Sequence, residues 1–330
     1  MTESHLRLLL TGAAAPMLGQ TVLPEALLRE KGGSVSRAVL AAALNLELLA
    51  DLFGRVPSGR AYFEGVLRSG GKLMFDHGAV RTVAMEGMGP LPAGQEAITR
   101  VLEPLGYACT HTYPMPRLKM TGRSHAQRDY PEALPQFFVS ELHPEQFSQN
   151  FQAAVQRVTG ESTDPLSAPD LVLLAKLRSD GALPLAEAKV LLPKLVGCFS
   201  RRHPSPHLAD YENLRAESAE MAWIATEGNA FNHATDRVSC LVDVVSRQRA
   251  LGRRVKDRME ISASGRVRQT ALYADPVVRE FLTAGGDRVW REVPGSFFEF
   301  IERAKLPGED RLDLAFDTNN AQGIFKMTAA

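Results

Sequence analysis

At 330 residues, 45% of them hydrophobic, the chain is long enough for two domains or for fused modules whose core needs no disulfide staples. Its 38 basic side chains are matched by 38 acidic ones, so overall charge gives no basis for binding nucleic acid or an anionic membrane. The cysteines, Cys109, Cys198 and Cys240, are odd in number, widely spaced and free of any CxxC pattern, as expected of reduced thiols in the cytoplasm.

The opening "MTESHLRLLLTGAAAPMLG" carries Glu3 and a single arginine ahead of its apolar run, which argues against an export signal. "AVLAAALNLELLADLF" (38–53) is interrupted by Asn45, Glu47 and Asp51, which predicts an amphipathic helix and not a membrane span. This helix runs into the turn-like "VPSGRAY" (56–62), and 1–70 as a whole is a helical N-terminal region. "KLMFDHGAVRTVAM" (72–85) reads as a strand, "AGQEAITRVLEPLGY" (93–107) as a helix, and "LPQFFVSEL" (134–142) as a strong strand. Together 71–142 form a first module. Four helix-like stretches separated by Pro and Gly fill an insert over 143–228. The strand-then-helix order returns over 229–330, which includes the closing tail.

The two strand-rich blocks share a grammar. "FDHGAVRTV" and "FNHATDRVS" both read F-x-H-x-x-x-R, and each is followed by a predicted helix of three to five turns, weaker strands, and a Phe-rich strand with a glutamate. His77 and Glu141 lie 64 residues apart, His233 and Glu299 66. This spacing predicts an α+β protein with a duplicated βαβββ unit. In a strand, positions i, i+2 and i+4 share a face, so His77, Ala79 and Arg81 point one way, and His233, Thr235 and Arg237 do likewise. At about 3.3 Å per residue, His77 and Arg81 are roughly 13 Å apart along the strand, a span suited to two ends of a small elongated molecule.

A lone strand histidine is usually a hydrogen-bonded core residue. A carboxylate between phenylalanines is costly to bury unless it is paired or bound to metal. Two histidines and Glu299, facing one cavity, make a facial triad with open positions, a set suited to non-haem Fe(II), with Mn, Co, Zn or Ni as possible occupants. Glu141 would mirror Glu299, in a buried pair or a pocket hydrogen bond. Arg237 mirrors Arg81 or makes an outer ion pair. Thr235, Gln269 and Thr270 are further candidate pocket residues. "RRHPSPH" sets His203 and His207 at a metal-like spacing, but its prolines favour a loop. Cys109 with His111 is a generic pairing, His125 falls to a solvated loop, and "AGGD" (284–287) is not a phosphate loop.

"FDHGAVRT", "LPQFFVSEL", "FNHATDRV" and "GSFFEFIER" resemble the motifs of the 2-oxoadipate dioxygenase/decarboxylase (hydroxyglutarate synthase) family of the vicinal-oxygen-chelate superfamily. The resemblance runs from about residue 70 onward. It implies two vicinal-oxygen-chelate modules around a metal-binding cavity, with His77, His233 and Glu299 holding Fe(II) and Arg81 holding a substrate carboxylate. It further implies a 2-oxo acid and O2 as reactants, loss of CO2, and hydroxylation of the neighbouring carbon, as in lysine breakdown. The other expectations are a glyoxalase-type lyase or isomerase on the same ligands, or a non-catalytic binder of a small acid. Only 31 residues follow Glu299, fewer than in many relatives, so the pocket wall supplied by the tail is expected to differ. The sequence sets no oligomeric state.

Overall fold

The computed structural model describes residues 3–316. The tail 317–330, on which the expectation about the pocket wall bears, lies outside the described residues. Strands in chain order are β1 (Ser34–Ser36), β2 (Phe75–Val83), β3 (Tyr107–Met115), β4 (Met120–Gln127), β5 (Gln136–Leu142), β6 (Ala182–Pro184), β7 (His233–Arg237), β8 (Glu260–Ile261), β9 (Val267–Ala271), β10 (Pro276–Leu282), β11 (Arg288–Pro294) and β12 (Phe297–Arg303).

Eight of them form one sheet in the order β3-β4-β5-β2-β7-β12-β9-β8. Outward from the central antiparallel β2·β7 pair, each half repeats the other. The first strand lies parallel to the last of its module, and the remaining strands add antiparallel. The duplicated βαβββ topology is therefore present, with the β10·β11 hairpin as an addition to the second copy. "AGGD" falls in the turn of this hairpin.

The register changes which glutamates correspond. His77 lies opposite Gln136, and His233 opposite Phe297. Two positions on stand Phe138 and Glu299; five positions on stand Glu141 and Glu302. Glu141 thus answers to Glu302 and not to Glu299, and both do the same work. Glu141 accepts the Gln95 N–H (2.7 Å) and Glu302 the Leu241 N–H (2.8 Å), each at the N-terminus of its module's helix, where a carboxylate complements the helix dipole. Arg123 completes the surroundings of Glu141.

The sheet is covered on both faces. Phe137, Val139, Ala234, Phe298 and Phe300 pack into one large core with the helix Arg37–Arg55. That helix buries its apolar positions and leaves Glu47, Asp51, Gly54 and Arg55 along its outer edge, the amphipathic helix expected. Asn45 is accommodated by donating to Ala41 O and Tyr107 Oη, both at 2.8 Å. "VPSGRAY", expected as a turn, begins a helix, Pro57–Arg68, with proline at its first turn, where the missing N–H costs nothing. The first module's helix, Glu96–Leu102, has seven residues, shorter than predicted. On the opposite face Ala79, Val83 and Phe138 meet the insert helices through Phe151, Met221 and Trp223. Among the described residues no helix is long and apolar enough to cross a membrane.

Gly78 sits between His77 and Ala79, where a Cβ would come within 2.4 Å of the Phe231 ring. Gly78→Ala should cost about 1–3 kcal/mol by overpacking, read as a lowered Tm. An unchanged Tm would show that Phe231 yields freely.

Candidate metal centre

β2 and β7 bring His77 and His233 side by side across the seam between the modules. β12, parallel to β7, sets Glu299 beside Thr235. One ligand atom from each of His77, His233 and Glu299 lies within 4.8 Å of the others, and all three residues are buried. Glu299 Oε2 is 3.2 Å from His77 Nε2 and 3.5 Å from His233 Nε2. The Thr235 hydroxyl donates to the same Oε2 at 2.8 Å and lies 3.1 Å from His77 Nε2. Glu299 Oε1 is buried with no hydrogen-bond partner among the described residues. A buried carboxylate oxygen so placed is costly unless a cation takes it, and two imidazoles plus a carboxylate are a donor set that divalent transition metals accept.

The other imidazole nitrogens are also held. His77 Nδ1 meets Asp76 Oδ1 at 2.8 Å, and His233 Nδ1 lies 3.1 Å from Asn232 Oδ1. An Nδ1–H bonded to oxygen leaves Nε2 to face the centre, the usual arrangement for a ligating histidine. A bulge places Asp76 there: β2 shifts register against β7 between Phe75 and His77, and bulges re-aim side chains in this way. Asp76 is further gripped by Arg303, at 2.9–3.1 Å, with Arg237 3.7 Å away. Of the two roles weighed for Arg237, the ion pair is the one present.

Burial works against a charged His77, but hydrogen bonds and charge from Asp76 and Glu299 outweigh it and raise its pKa. Burial dominates at His233, pushing it down to about 3, with His77 and Arg81 adding repulsion. Burial also opposes ionisation of Glu299 and Asp76, yet nearby cationic and donor groups hold both below the usual carboxylate range. Without metal, therefore, His77 holds a proton more strongly than His233 does. The raised His77 stabilises the fold below its unfolded value of about 6.5, and this is lost as pH rises through its folded pKa. The depressed carboxylates act oppositely, stabilising above their unfolded values and losing that contribution in acid. Metal must displace the His77 proton, so affinity should fall about tenfold per pH unit below the His77 pKa. Competition titration with Co(II) at stepped pH checks this, and a pH-independent affinity would contradict it.

Arg81 is buried on the face that carries His77 and Ala79. Its guanidinium lies 4.9 Å from the centre of the Trp223 ring, and its carbonyl accepts from Asn229 at 2.7 Å. Burial lowers its pKa to about 10, with Glu220 pulling the other way, so it remains a cation at neutral pH. Gln269 lies across from Ile301, on the Glu299 face, but donates to Glu260 at 3.2 Å. Thr270 pairs with Phe300, so strand alternation puts it on the opposite face; the strand does not bring it to the centre. His203 is in a loop, near the carbonyls of Pro204 and Ile224. His125, expected in a solvated loop, is buried in β4.

Sequence reasoning missed Asp76, Asn232, Trp223 and Arg303. The first two were marked by F-D-H and F-N-H, where a short oxygen-bearing side chain precedes each histidine.

Paired βαβββ modules with a two-histidine, one-carboxylate cluster at their seam define a protein of the glyoxalase-like, vicinal-oxygen-chelate class. Residues 66–326 match the family model for 2-oxoadipate dioxygenase/decarboxylase, and the chain belongs to that family. A crystal structure assigned to the glyoxalase superfamily, from Ralstonia eutropha JMP134, is 52% identical, with TM-score 0.89 over 95% of this chain and 97% of that one. Hydroxyglutarate synthase from Oryza sativa, solved with 2-oxoadipate, shares the fold at 20% identity and TM-score 0.70, over 94% of this chain and 95% of that one. The chloroplastic 2-oxoadipate dioxygenase/decarboxylase of Arabidopsis thaliana is 24% identical over 59% of this chain. The match spans about half, 51%, of that curated relative.

Proposed function

We propose that this chain oxidatively decarboxylates and hydroxylates a 2-oxo acid, with 2-oxoadipate as substrate. The observation that carries the reading is the buried His77–His233–Glu299 cluster with Arg81 on the same face, in a chain of this family. The reaction balances as 2-oxoadipate plus O2 giving 2-hydroxyglutarate plus CO2, one oxygen atom entering each product. His77, His233 and Glu299 would hold the metal, Fe(II) for this chemistry, which supplies the site for chelating the 2-oxo acid and for activating O2.

The protein's own part is positioning. Asp76 and Asn232 fix the two imidazoles, and Thr235 holds one carboxylate oxygen of Glu299. Arg81, backed by Trp223, takes the far carboxylate of the substrate. Phe297, Phe138 and the indole keep water from the reacting carbon. Gln269 forms part of the wall. Reduced cysteines support a cytoplasmic place, and the substrate supports one in lysine breakdown.

The test is oxygen uptake by metal-free protein reloaded with Fe(II), against 2-oxo acids of graded length. Uptake peaking at 2-oxoadipate, with matching CO2 release, is the expected result. Turnover of a 2-oxo acid under nitrogen with Zn or Ni would replace this reading with a lyase or isomerase.

A further inference from the structure

Beyond the ligands, the segment Leu312–Phe316 runs beside His77 and is tied to both modules. From the second module, Arg303 donates to the carbonyls of Asp313 (2.9 Å) and Ala315 (3.0 Å), and Arg266 pairs with the Asp313 carboxylate at 2.7 Å. From the first, Gln136 donates to Leu314 O at 3.2 Å, and the Phe316 N–H donates to Tyr113 Oη at 3.0 Å. The Phe316 ring is thereby set edge-on against the His77 imidazole, 4.8 Å between centres, with the Arg303 guanidinium 5.0 Å from its own centre. The same buried guanidinium grips Asp76, which holds His77.

We propose that Arg303 is a positioning residue that couples this strap to the metal centre. One side of its guanidinium orients Asp76 and through it His77, while the other fixes the carbonyls that seat Phe316 over the site. The two ends are interdependent because a single rigid, planar group serves both. A lysine has one point donor and cannot satisfy a carboxylate and two carbonyls in these directions. Phe316 then shields the ligand face of His77 from water whenever Asp76 is properly held. The proposal rests on the reading of His77 as a ligand, but the strap can be followed with no metal present.

Hydrogen exchange of the 305–316 segment and Co(II) affinity, measured on the full chain, separate the possibilities. Asp76→Asn should weaken Co(II) binding about 10–100-fold, the range for such supporting partners. It should also speed strap exchange about tenfold or more in metal-free protein, although no hydrogen bond links Asp76 to the strap among the described residues. Arg303→Lys should speed strap exchange similarly and should also weaken Co(II) binding, by less than Asp76→Asn because it keeps a cation beside Asp76. Exchange of 137–142 reports whether each variant has kept its core. If the strap of Asp76→Asn exchanges at the wild-type rate, the coupling is overturned, whatever Arg303→Lys or the metal does. If wild-type protein binds no Co(II), the ligand reading fails, and the strap's response to Asp76→Asn still decides the linkage.

Discussion

Glu299→Gln should remove metal-dependent turnover, with kcat down at least about a thousandfold, since a metal's charge stabilisation contributes several kcal/mol. The substitution keeps size and shape but removes the charge that draws in the cation. Its effect on the metal-free fold should be modest, because Thr235 can still donate to the side-chain oxygen that replaces Oε2. The measurement is therefore twofold: turnover, and the Tm rise on adding Co(II) or Zn(II). Wild-type protein should gain stability with the logarithm of ligand concentration over Kd, and Glu299→Gln should gain none. Variants of His77 and His233 to Ala should behave alike. A variant that kept the Tm rise and lost only turnover would make Glu299 a general base, with the metal held elsewhere.

The second large effect is expected at Arg81. A truncated partner of a buried charge pair typically costs 2–5 kcal/mol, so Arg81→Met should lower kcat/KM for 2-oxoadipate by about 10²–10³-fold. Arg81→Lys should recover little of this, because a point charge cannot pair bidentately with a carboxylate as a guanidinium does. The informative comparison is 2-oxohexanoate, which lacks the far carboxylate. If Arg81 grips that carboxylate, the two substrates should differ strongly in wild-type protein and nearly converge in Arg81→Met. Equal losses on both would move Arg81 to the 2-oxo end, beside the metal.

Much of this site was legible because a strand's period of two is unambiguous over short runs. F-x-H-x-x-x-R puts imidazole and guanidinium on one face, and its repetition raised His77 and His233 above the usual core histidine. The errors arose where register or distance intervened. Equal spacing suggested that Glu141 mirrors Glu299, but the two modules differ in loop length, and pairing showed Glu302 to be its counterpart. A one-residue bulge at Asp76 leaves no periodic trace. Thr270 illustrates the same parity rule in reverse: adjacent to Gln269, it must face the other way. Trp223 reaches Arg81 from an inserted helix and Phe316 reaches His77 from the chain's later course, contacts that no local pattern encodes. Asn45 interrupts an otherwise apolar run, and nothing local marks Tyr107, 62 residues on, as its partner.

The position of the centre on the β2·β7 seam has a consequence for the lifetime of the protein. His77 belongs to one half of the duplication, and His233 and Glu299 to the other, so a bound ion would act as a cross-link between segments far apart in the chain. Like a staple across a long loop, it would restrain the opening of one half from the other. Loss of the ion would then be the step that commits a molecule to unfolding, and its survival would become a rate set by metal release. A cell short of the metal would hold less of the protein, because molecules left without it would be cleared sooner.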